Sequence, residues 1–255
     1  MIPTHSVDSV LKDLNCSLGI KTIERQILVP SNKIGLVIAG QPPIQPYDTR
    51  TVTVTIEQWS KLVGILFCAP TSHLGKEEIT RHLEYFHYRS GHFVDFFCVG
   101  YGAAEAPSPS SDSDLVVASV DQVNWTFSPK DYNSFRAHLE EISRWKYSGE
   151  SDLLLLVARK EHETRASLDF STAIACNLER MQKDEAFSSV RAFFEQIFRF
   201  GETYQGSDPV WDLSDKMGLQ RGKNFLQEAV LSLLPEPTRK LYRSAKHYAI
   251  RDISD

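Results

Sequence analysis

Cys68 closes the apolar run KLVGILFCAP over 61–70, and Ala69, Pro70, Thr71 and Ser72 follow it. A thiol near a helix N-terminus has its thiolate stabilised by the unpaired backbone N–H groups there. His73, five residues on, is placed to take the proton. Cys68 and His73 together form the pattern of a thiol-dependent catalytic site. Two features run against it: Thr71 stands where a resolving cysteine would be, and a cysteine inside an apolar run behaves as a small buried hydrophobe. Asp95 is the third candidate catalytic residue. It sits in HFVDFFCVG (92–100) between Phe93 and Phe97, which share its face by the two-residue period of a strand. A carboxylate in that setting requires either a basic partner or a face that opens onto a polar cleft.

Other constellations fail on spacing. His73, His82, His87 and His92 fall within twenty residues. His82 and His87 are five apart, however, whereas two zinc ligands on one helix stand at i and i+4, so no metal site is expected. Glu150, Asp152 and Lys160 flank the strand 153–158, and Asp121 follows another strand, as in a metal-dependent nuclease or phosphoesterase core. Ala158 occupies the position two before the lysine that such cores need for a carboxylate. Gly100 and Gly102 follow a strand as in a dinucleotide site, yet Glu105 and APSPSS cannot open a phosphate-binding helix. There is no GxxxxGK[ST] and no GxSxG. Val94-Asp95-Phe96 resembles a strand found in thioredoxins, without a cysteine at the active-site spacing. The sequence names no cofactor.

These residues must be positioned by a small set of elements. Residues 1–20 read as a short helix, and QILVP, IGLVIAG and TVTVTI (26–56) as an antiparallel β element, with TVTVTI having two unlike faces. Residues 61–68, a helix over 74–89 capped by Thr71 or Ser72, and 92–99 make a βαβ unit with parallel strands. LVVASV (115–120) and DLLLLVARK (152–160) add strands, separated by an amphipathic helix over 129–146 that starts at Pro129. From about 168 the pattern reads as helical, with a broad aromatic face over 187–198. The fold expected is α/β: a short, mostly parallel sheet sandwiched by helices (Rossmann-like or thioredoxin-like), with an N-terminal β element and a C-terminal helical bundle. The expected divisions are 1–60, an α/β core over 61–165 and a helical region over 166–255. Ligands of such sheets sit beyond the C-terminal strand ends, which nominates Ser72, Tyr101, Glu105, Lys160 and His162 for ligand binding.

Composition limits the function classes. A formal net charge of −5 carries no basic surplus, so nucleic acid is an unexpected partner. No apolar run reaches the roughly 20 residues needed to span a bilayer, and MIPTHSVDSVLKD lacks the marks of a secretory signal. Four cysteines without a CxxC pair read as reduced thiols. A soluble, cytoplasmic protein is expected. Arg239, Arg243, His247 and Arg251 recur at four-residue steps and would form one basic stripe on a helix, suited to an acidic partner. The leading functional reading is a non-catalytic binding or regulatory subunit that docks a protein partner or self-assembles through its C-terminal helices. The alternatives are a thiol enzyme using Cys68 and a metal-dependent nuclease or phosphoesterase.

Overall fold

A computed structural model of the chain describes residues 4–30, 47–91, 93–104, 115–120, 123–160, 165–204, 226–244 and 249–253. It divides into two compact units, Gly19–Gln58 and the remainder, Met1–Leu18 with Trp59–Asp255.

The larger unit is built on a five-stranded sheet. Its strands are β3 (Ser60–Phe67), β4 (Val94–Cys98), β8 (Asp152–Arg159), β9 (Ser167–Asn177) and β10 (Ile250–Asp252), in the order β10-β9-β8-β3-β4. β3 and β8 lie inside this sheet, which is why KLVGILF and DLLLLVA are apolar at almost every position: both faces are covered. β3 and β4 pair in parallel, as expected of a βαβ unit. Their crossover starts at Ser72, whose Oγ accepts from Gly75 N at 2.9 Å. It then winds through a π turn (Gly75–Ile79) and a 3-10 turn (Thr80–His82) into helix α2 (Leu83–Arg89). Only glycine fits at 75, because a Cβ there would lie 2.1 Å from the Ala69 carbonyl oxygen.

The mostly parallel sheet is a correction. β8 runs antiparallel to β3, β9 antiparallel to β8, and β10 antiparallel to β9. Strand β8 does follow a helix, α3 (Pro129–Ile142), but α3 is entered from a different sheet. The rule that a strand–helix–strand unit is parallel holds only when both strands belong to one sheet. That other sheet is β5 (Tyr101–Ala104), β6 (Leu115–Val120) and β7 (Val123–Phe127), in the order β5-β7-β6, all antiparallel. LVVASV therefore does not join β3 and β4. Only two residues separate β6 from β7, and so short a connection joins antiparallel neighbours alone. Gly100, at φ +81°, turns the chain from β4 into β5.

The C-terminal helical bundle is the second correction. Residues 167–177, read as the start of a helical region, form β9; their run of small apolar residues suits either period. The helices beyond it are short and scattered: α4 (Leu178–Lys183), α5 (Val190–Tyr204), α6 (226–232) and α7 (Glu236–Ser244). The aromatic face of α5 is internal. Phe194 packs on Phe96 with ring centroids 4.7 Å apart and on Phe86 at 5.1 Å, and Phe193, Ile197 and Phe198 are buried with it. Phe96 in turn lies over Gly64 of β3, where a Cβ would come within 2.6 Å of the ring.

At the N-terminus, α1 (Val7–Ser17) opens with a capping box between Ser6 and Ser9 and buries Val7, Val10 and Leu14. The smaller unit is a hairpin of β1 (Gly19–Pro30) and β2 (Tyr47–Gln58). The two strands are in unbroken antiparallel register from Gly19 opposite Gln58 to Pro30 opposite Tyr47.

Candidate functional site

The C-terminal end of β3 carries Cys68 into a closed polar cluster. Its sulfur accepts a hydrogen bond from Ser151 Oγ at 3.2 Å and lies 3.4 Å from Ser72 Oγ. Ser151 Oγ also lies 3.1 Å from Glu179 Oε1, and its single hydrogen serves one acceptor at a time. Tyr101 OH donates to the Cys68 carbonyl at 2.9 Å. Burial pushes the Cys68 thiol above its ordinary range, and nearby Glu179 pushes it further; the two serine hydroxyls offset part of the rise. The helix after Cys68 starts with the Ser72 hydroxyl on Gly75 N, so this side chain fills the place a thiolate would take at the helix start. His73 is exposed. The sulfur has no exposure to solvent, so the arrangement stabilises a neutral packed thiol and gives an electrophile no route to it.

Asp95 has its basic partner. Lys61 Nζ donates to Asp95 Oδ1 at 2.8 Å and to the Gly91 carbonyl at 2.7 Å, and Ser17 Oγ donates to Asp95 Oδ2 at 3.1 Å. Lys61 is 1% exposed and Asp95 7%. The parallel register brings them together: Val63 stands opposite Asp95, and Lys61 shares the alternation of Val63. Lys61 heads an apolar run as its one charged residue, and Asp95 is the one charged residue of β4. Two such residues on adjacent buried strands carried a pairing signal in the sequence. Ser151 and Glu179, distant in sequence from Cys68, carried none.

The remaining nominated residues are dispersed. Lys160 Nζ donates to the Asn15 and Leu18 carbonyls at 3.0 and 3.3 Å and so closes the C-terminus of α1. Glu105, His162 and His247 lie outside the described residues, as do His92 and Asp121. Arg239 donates from Nε to the Leu231 carbonyl and from Nη2 to those of Ser232 and Leu234, each at 3.0 Å, capping the end of α6. Arg243 pairs with Glu228. Arg251 lies in β10, not on a helix with the other two, and donates to the Lys146 carbonyl at 2.6 Å.

His73 and His87 are exposed and His82 is half-buried. Among the described residues no group of three or more His, Cys, Asp or Glu is placed to hold a metal ion. Asp152, weighed as a metal ligand, is buried and accepts from Ser148 N at 2.9 Å and from Ser148 Oγ at 2.7 Å; burial raises its carboxyl above the ordinary range. Two shallow clefts, of about 340 Å³ beside Arg144, Phe170 and Ser171 and about 140 Å³ beside Asp8, Asp131 and His138, contain none of the nominated residues. Among the described residues no helix is long and apolar enough to cross a membrane.

The β1–β2 hairpin offers a candidate surface of a different kind. Its register places Ile27, Val29, Val52 and Val54 on one face together with Asp48 and Arg50, and Ile20, Glu24, Gln26, Leu28, Tyr47, Thr49, Thr51, Thr53 and Thr55 on the other. Ile27 is 43% exposed and Leu28 71%. A two-stranded ribbon cannot cover its own faces, and each strand has one edge without a ladder partner in the ribbon.

Comparison of the chain with protein-family models, with curated proteins and with solved structures returns no match.

Proposed function

We propose that this protein is a non-catalytic binding or assembly protein that works by docking a protein partner, and that the β1–β2 hairpin is the docking element. One observation carries the reading: a twelve-residue-per-strand hairpin forms a compact unit of its own while exposing Ile20, Ile27, Leu28 and Tyr47. Two strands alone are marginally stable in water, and a ribbon that exposes apolar side chains gains by acquiring a third strand or a covering surface. The aromatic face of α5, the other surface suited to docking, is spent inside the core.

The thiol-enzyme alternative loses support from the same geometry, since Cys68 is buried with its thiol held neutral. The test is the native mass of the protein in extracts of its own host, by gel filtration and crosslinking. A mass above the 28.9 kDa of the chain is expected. A bare monomer at physiological concentration overturns the proposal.

A further inference from the structure

We draw no further inference here: the strongest candidate, the exposed faces and outer edges of the β1–β2 hairpin, belongs to the docking element already described, and nothing in the structure shows what covers it.

Discussion

Asp95→Asn removes the charge that neutralises Lys61 while keeping size and the hydrogen bond from Ser17. At 2.8 Å and an effective dielectric constant of 20, the gross attraction between the two charges is about 6 kcal/mol. Desolvation of both groups offsets much of this in the intact protein. Removing one partner leaves a lysine that is 1% exposed with its charge unmatched, at a cost of about 3–5 kcal/mol. With a urea slope of about 2–3 kcal/mol per molar, the unfolding midpoint should fall by about 1–2.5 M. Lys61→Met with Asp95→Val discards both charges together. Ser17 Oγ can turn its single hydrogen to the Leu14 carbonyl, 3.2 Å away, and Gly91 is exposed enough for water to replace Lys61. The double variant should therefore lie within about 1 kcal/mol of the natural protein or above it. Equilibrium urea unfolding followed by far-ultraviolet circular dichroism measures all three. A cost below 1 kcal/mol for Asp95→Asn, or a double variant as unstable as the single one, would falsify the assignment of a buried, mutually dependent pair.

Thiol accessibility should divide the cysteines: under native conditions Cys16 reacts rapidly with a disulfide reagent, and Cys68 and Cys176 react only on unfolding; fast native labelling of Cys68 would contradict its closed environment. Asp152 has a folded-state pKa raised by burial, so the stability it contributes is fully present below its unfolded pKa and is lost as pH rises through the folded one. Asp152→Asn should therefore be neutral or stabilising at pH 7, with the advantage shrinking as pH falls towards 4; thermal melts across that range check the sign. Arg239→Ala should uncap α6 and cost about 1–2 kcal/mol, seen as a melting temperature lower by a few degrees. Gly64→Ala pushes a methyl into the Phe96 ring and should cost about 1–3 kcal/mol in the same melts; an unchanged melting temperature would mean that ring is free to move.

Local chemistry was enough to read much of the molecule from its residues. Apolar runs marked β3, β4 and β8, because strands covered on both faces have no polar side to display. Pro129 marked the first turn of α3, and the alternation of TVTVTI marked a ribbon with two unlike faces. Asp95 declared that it needed a partner, since an ionised carboxylate cannot be buried alone. The identity of that partner depended on which strand lay beside β4 and in what register. Strand direction was likewise decided by tertiary structure: α3 leads out of a second sheet, so the helix before β8 does not make β8 parallel. Residues 167–177 suit a helix or a strand locally, and the open edge of β8 selected the strand. The state of Cys68 followed from Ser151 and Glu179, which come within reach only when β8 and α4 pack against the end of β3. Spacing along the chain can propose a nucleophile, but whether solvent reaches it depends on residues a hundred positions away.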